Sequence, residues 1–363
     1  MTKPNIVRYN IDELMQHEAN INILYGERSN GKSYQLKHKV MFTPQIINGD
    51  RCFMLVRRKK DEITSEKVER YFEDVDITRL TDGKYNCIDL YRREIFLSNY
   101  DTTTFKRKRG KKIGYIVPLE REQDYAGASF LDVDNIIFEE FMSRDRYIYD
   151  EPNKLMNLYC TVDRKRGTTK LWLCGNSISR VCPYLTDWDI MKDMRVQKQG
   201  TIIDRTFDVG QDETVKMSIE YCLDTGNTSY VIGSHARMLS GGEWQSDPQP
   251  HLPKTIKEYI PIFRCVFLYK QFCFLATYMY DKDTYDHVWF ICDKKDGTIK
   301  DGTYILSDVI LQNPKCFRDP YSVHTKNPIV EKIFNDFREN KIFYATDLTG
   351  TDFKQAIDFT IRR

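Results

Sequence analysis

One stretch constrains this chain more than any other: Gly26-Glu27-Arg28-Ser29-Asn30-Gly31-Lys32-Ser33. It fits the pattern G-x-x-x-x-G-K-[ST] of a phosphate-binding loop. The two glycines let the backbone curl without Cβ clashes. A backbone curled this way points several N–H groups at one spot and makes an anion nest. Lys32 would reach the β- and γ-phosphates of ATP, and the Ser33 hydroxyl would hold Mg²⁺. Gly26 through Ser33 are therefore the candidate nucleotide-binding residues. Ile21–Tyr25 ahead of the loop reads as a short strand. Ser33–Met41 behind it reads as a helix stopped near Pro44. Strand, loop and helix in that order is the context the motif needs; the bland alternative is a Gly-rich turn.

The chain has 363 residues, which predicts two or three domains. A net charge of +2 makes neither half a basic body, and residues 241–363 hold 17 basic and 17 acidic side chains. Any nucleic-acid contact must then come from local patches. The ten cysteines include no C-x-x-C pair and no zinc spacing, so they read as reduced, mostly buried thiols. The amino terminus carries no apolar signal segment. No run reaches the roughly 18 apolar residues of a membrane span, so no membrane partner is expected.

Arg51–Val56 reads as a second apolar strand running into Arg57-Arg58-Lys59-Lys60 at its carboxyl end, the end that faces ligand in open α/β sheets. Residues 61–78 read as helix. Cys87–Leu97 and Ile113–Val117 read as strands flanking a polar excursion. That excursion holds Lys106, Arg107, Lys108, Arg109, Lys111 and Lys112, six bases in seven positions. Like charges so dense repel one another, and a polyanion such as DNA would relieve them; the alternative is a solvated hairpin tip.

Val133–Phe141 is an apolar strand ending in Glu139-Glu140. Acids at a strand tip, in a chain with a phosphate loop, form the Walker B pattern. Glu139 would hold the Mg²⁺ shell, and Glu140 would polarise the attacking water as catalytic base. Residues 153–166 read as a helix with Gly167 as its cap. Leu171–Cys174 reads as another core strand, with Asn176 at its tip as candidate γ-phosphate sensor.

Gly26–Ser33 with Tyr34, Leu55-Val56-Arg57-Arg58, Ile137–Phe141, Thr161-Val162-Asp163-Arg164 and Gly175-Asn176 occur in this order. The ordered set resembles the genome-packaging ATPases of small podoviruses of the phage phi-twenty-nine type, relatives of terminase large subunits and HerA/FtsK translocases. The motif resemblance covers roughly residues 20–185. It implies a P-loop NTPase fold of the ASCE type, a mostly parallel sheet with flanking helices. It implies a homopentameric ring at the portal vertex of a prohead in the host cytoplasm, driving double-stranded DNA inward with ATP and Mg²⁺, in some systems with a packaging RNA. It also implies a trans-acting arginine finger on Arg164 and a phosphate-loop arginine on Arg28. Two departures stand out. Glu139 occupies a position where Asp is common, and residues 122–138 contain no Lys or Arg. Arg144, Arg146 and Arg166 stay open as rival fingers.

The expected layout is an ATPase domain over 1–200, a linker over 201–240, and an α+β domain over 241–363. The resemblance makes that last domain a vestigial ribonuclease-H-like nuclease. Its apolar strands Cys265–Tyr269 and Cys273–Ala276 carry no carboxylates for two-metal cleavage. Asp281, Asp283 and Asp286 cluster in a turn. The leading reading is an ATP-driven DNA translocase. A terminase large subunit with active nuclease and a nucleotide-gated DNA-binding scaffold are the alternatives.

Overall fold

The computed structural model describes residues 9–143, 147–177, 180–210, 213–223, 247–269, 272–294, 303–307, 316–318 and 328–361. The chain divides into two compact units. The first unit is built on nine strands: β1 (Ile21–Gly26), β2 (Cys52–Arg57), β3 (Cys87–Tyr91), β4 (Glu94–Asp101), β5 (Lys106–Pro118), β6 (Val133–Glu139), β7 (Lys170–Asn176), β8 (Thr201–Gly210) and β9 (Glu213–Tyr221). They form one sheet in the order β3-β4-β5-β2-β6-β7-β1-β9-β8. The central strands from β5 to β9 run parallel, and the hairpin partners β3, β4 and β8 make the edges antiparallel. β1, β2, β6 and β7 are almost wholly buried, as expected of parallel strands covered on both faces. Phe42, Phe53 and Phe72 pack their rings together on one face of this sheet.

Several expectations change. The helix after the phosphate loop is regular only over Lys32–Leu36 and then widens into a π-turn at Lys37–Met41. The helix read over 61–78 is a 3₁₀ turn, Lys60–Glu62, and two short helices, Ser65–Tyr71 and Ile77–Leu80. Cys87–Leu97 is not one strand: it folds back at Arg92-Arg93, whose φ values are 48° and 72°. A two-residue hairpin needs positive φ at both positions, usually supplied by Asn-Gly, so two arginines conceal it. The basic stretch is not a loose tip either, because Lys106–Lys112 is paired along β5 with β4. Residues 201–221 of the expected linker are instead the hairpin β8–β9, and β9 lies parallel beside β1.

The second unit has a sheet of β10 (Tyr259–Tyr269), β11 (Phe272–Asp281), β12 (His287–Asp293), β13 (Tyr304–Ser307), β14 (Cys316–Arg318) and β15 (Ile342–Tyr344). Their order is β14-β13-β10-β11-β12-β15. β10, β11 and β12 form an antiparallel meander; β13 joins β10 in parallel, and β14 joins β13 in parallel. Phe353, from the helix Asp347–Ile361, sets its ring edge-on to Phe267 and Phe274. The two units are mixed α/β in character.

Candidate functional site

β1 runs straight into the loop at Gly26, and Gly31 ends the loop at φ 105°, where a residue with a Cβ would be strained. The next residue, Lys32, starts the helix. Its side chain is 5% exposed and turned back onto its own loop. It donates to the Glu27 carbonyl and to Asn30 Oδ1 at 3.1 Å. Asn30 is itself buried, and its amide nitrogen has no partner among the described residues. A buried cation and a buried unpaired donor at one turn make a site for anionic oxygen. Arg28 and Ser29 are exposed on the rim of this loop.

The sheet register sets the acids against the loop. Glu139 at the tip of β6 pairs with Cys174 of β7, and Cys174 pairs with Leu24 of β1. Asn176, two residues on, lies opposite Gly26, and the Ser177 amide donates to the Gly26 carbonyl at 3.2 Å. Four of the candidate side chains act on the Cys174 thiol. Burial, the charge of Glu139 and that of Glu140 push it up, to about 12, while the Lys32 charge and a hydrogen bond with Ser33 pull it down. Loop and acids thus share one locality around Cys174, a residue that reads from sequence as an inert core thiol.

The Glu139 carboxylate is 8% exposed, and its Oε1 has no hydrogen-bond partner among the described residues. It also lies beside the Tyr71 hydroxyl, which burial first and then this charge drive well above its ordinary range. A buried carboxylate oxygen without a donor fits a divalent cation. Glu140 is exposed and left-handed at φ 58°. A pocket of about 420 Å³ opens against both acids, lined also by Arg57, Lys59, Lys67 and Tyr71.

Arg164 lies elsewhere. The helix Glu151–Asp163 starts near the acids and is about 20 Å long, 13 residues at 1.5 Å each. Arg164 caps its far end and donates to the carbonyls of Gly127 at 3.0 Å and Ala128 at 2.7 Å. It is exposed, at the opposite end of the helix from Glu139 and Glu140. Arg166 is tied by its guanidinium to the carbonyls of Leu131, Val133, Val162 and Asp163 and to the Thr169 hydroxyl, so it is a structural clasp. Arg144 and Arg146 lie outside the described residues.

The basic strand divides by direction. Arg107 pairs with Glu69 at 2.6 Å and Asp89 at 3.1 Å, and Arg109 with the same Asp89 at 2.6 Å. Lys111 donates to the carbonyls of Ile47 and Gly49, and Lys112 pairs with Asp132 at 3.2 Å. Lys106 and Lys108 are exposed and have no ion pair among the described residues. The mutual repulsion that the sequence suggests is thus largely met within the chain.

The fold is a mixed α/β one centred on parallel strands, with a glycine-bounded turn after one strand and paired acids at the tip of another. The family model of the podovirus DNA encapsidation protein (Gp16) matches residues 3–221, and the chain belongs to that family. The DNA packaging protein of Bacillus phage phi29 is 25% identical over 273 residues, covering 71% of this chain and 72% of that protein. The DNA packaging protein of Bacillus phage PZA is 26% identical over 246 residues, 65% of this chain and 63% of that protein. Among solved structures, the bacteriophage Phi-29 viral genome packaging motor assembly aligns over 97% of this chain and 99% of that chain, with a TM-score of 0.55 and 20% identity. That last likeness bears on the fold. No helix among the described residues is long and apolar enough to cross a membrane.

Proposed function

We infer that this chain is the ATP-hydrolysing subunit of a ring motor that moves double-stranded DNA into a prohead at its portal vertex in the host cytoplasm. The observation that carries the reading is the sheet register, which sets Glu139 of β6 beside Cys174 of β7 and Cys174 beside Leu24 of β1, the strand that runs into the loop of Lys32 and Ser33, in a member of the encapsidation family. Lys32 would leave the Glu27 carbonyl for the β- and γ-phosphates, and the loop amides would take the remaining oxygens. Ser33 and Glu139 would hold Mg²⁺, which when bound neutralises charge developing on the phosphates. Glu140 accepts the proton of the attacking water. Asn176, opposite Gly26, senses the γ-phosphate. Arg164 serves a neighbouring subunit, which accounts for its distance from its own catalytic turn. A pentameric ring and a packaging RNA belong to the same proposal. The basic strand β5 contacts DNA through Lys106 and Lys108 foremost.

For the second unit we retain the vestigial ribonuclease-H-like reading. It is supported by the meander β12-β11-β10 continued on one side by the parallel strands β13 and β14, while β15 adds a parallel strand beside β12. Against a working nuclease, Asp281 accepts the amides of Asp283 and Thr284 and pairs with Lys254, the contacts of a capped turn.

The test is phosphate release by the full chain with proheads and DNA. Lys32→Ala should lose ATP binding. Glu140→Gln should keep ATP binding and lose turnover. Near-normal hydrolysis by Glu140→Gln would remove that residue from its role, and no hydrolysis by the wild type would favour the nucleotide-gated scaffold.

A further inference from the structure

Glu140 holds a left-handed backbone, φ 58°, at the turn that leaves β6. For a residue with a Cβ that conformation is unfavourable and persists only when its surroundings impose it. Arg58, 82 residues earlier in the chain, supplies the constraint. Its Nη2 donates to the main-chain carbonyl of Glu140 at 3.2 Å and to that of Phe141 at 3.1 Å. Its Nε and Nη2 also grip Glu151 bidentately at 2.9 Å. Glu151 in turn accepts the Ile148 amide at 2.9 Å, so the same carboxylate anchors the returning end of the loop. Both charges are buried, Arg58 at 7% and Glu151 at 1% exposure, and the guanidinium lies near the rings of Phe138 and Tyr147.

A buried ion pair is weak evidence for stability, since two apolar side chains of similar size often do as well. Its geometry is another matter. The planar guanidinium fork meets a carboxylate and two carbonyls at once, which an ammonium cannot reproduce. We propose that Arg58, held by Glu151, is a positioning residue that fixes the backbone of Glu140 and so aims its carboxylate at the attacking water. This rests on the ATPase reading above. Without the fork, the Glu140 peptide relaxes toward the right-handed region and its side chain swings away. Nucleotide binding is kept, because Lys32 is held within its own loop by the Glu27 carbonyl and Asn30 and makes no contact that depends on Arg58.

The discriminating variant replaces the pair together, Arg58→Met with Glu151→Met, in the full-length chain. If the pair serves only stability, this variant folds and hydrolyses ATP like the wild type. If it positions Glu140, the variant folds and keeps its ATP affinity and KM, while kcat falls about 10²-fold, the cost of a misplaced catalytic group. Arg58→Lys keeps a charge for Glu151 but lacks the fork, and should show the same split between kcat and KM. A second readout needs no turnover: in nucleotide-free Arg58→Lys, hydrogen exchange at the Phe141 amide, which donates to the Cys174 carbonyl at 3.4 Å, should accelerate. Wild-type kcat in the folded double variant overturns the proposal. If that variant does not fold, wild-type kcat with unchanged Phe141 exchange in Arg58→Lys overturns it. A wild type that binds but does not hydrolyse ATP sinks the ATPase reading instead; the exchange result then still reports whether Arg58 holds the turn.

Discussion

The ring of Phe141 lies directly over Gly175. A Cβ built on Gly175 would come within 2.9 Å of Phe141 Cε1 and 3.1 Å of Cδ1. The turn after the acids therefore seats itself on the strand that carries Asn176, and only a bare Cα leaves room. Gly175→Ala should push Phe141 outward and disturb Glu140 and Asn176 together. Overpacking of this kind costs about 1–3 kcal/mol. We expect a lower melting temperature and a loss of ATP turnover with retained ATP binding. Phe141→Leu in the same chain should restore part of both, and failure to restore either would separate the packing contact from activity.

Arg164 caps its helix far from Glu140, so its removal should leave ATP binding intact. If it completes a neighbour's site, Arg164→Ala should lose about 10³-fold or more in turnover, as arginine fingers contribute in GTPases. Mixing decides the matter. Arg164→Ala subunits keep Lys32 and Glu140, while Glu140→Gln subunits keep the arginine. Recovered hydrolysis in mixed assemblies would place the arginine in trans; no recovery despite proven mixing would assign Arg164 to the loop at Gly127 and Ala128 alone.

The basic strand should split by face. Lys106→Ala with Lys108→Ala should weaken DNA binding and flatten the slope of log K against log salt by about two, one for each phosphate no longer neutralised. Melting should not change. Arg109→Ala should do the reverse, because it leaves the buried Asp89 carboxylate short of a partner, at about 1–3 kcal/mol. A salt titration and a thermal melt on the two variants would show whether the faces differ.

Glu220 on β9 accepts the Tyr9 hydroxyl, and burial pushes its carboxyl up to about 7. The folded state therefore holds this proton more tightly than the unfolded chain. Stability from this group is complete below the ordinary 4.5 and is lost as pH rises through about 7, on the order of 3 kcal/mol in all. Glu220→Gln, which keeps an acceptor for Tyr9, should flatten that decline. A melting series from pH 5 to pH 8, at about one-unit steps, would check it; parallel curves for wild type and variant would rule the group out.

The elements legible in the sequence are those where one short stretch carries the whole signal. The phosphate loop and the acids of β6 announce themselves because strand, turn and chemistry are adjacent in the chain. β9 is legible in principle, since Val215, Met217, Ile219 and Tyr221 alternate at strand spacing. The glycines and polar residues around it obscure that period. The Arg92-Arg93 hairpin gives no signal, because neither residue favours positive φ. Arg58 and Glu151 are 93 positions apart, and nothing local tells one charged residue that its partner is the other. Likewise the charge density of β5 is visible in the sequence, but Asp89, Glu69 and Asp132, which answer it, come from three other places in the fold.

The pairing of β9 with β1 has a consequence for dissection of this protein. β1 is hydrogen-bonded on both sides, to β7 and to β9, so the phosphate loop springs from an interior strand. A chain ended at residue 200 would strip one side, leaving the amides of Ile21–Tyr25 as an open edge beside the nucleotide site. Such edges template aggregation. The smallest piece that keeps β1 paired on both sides must therefore reach past Tyr221 to Cys222, whose amide closes the last bond to the Tyr25 carbonyl at 2.8 Å.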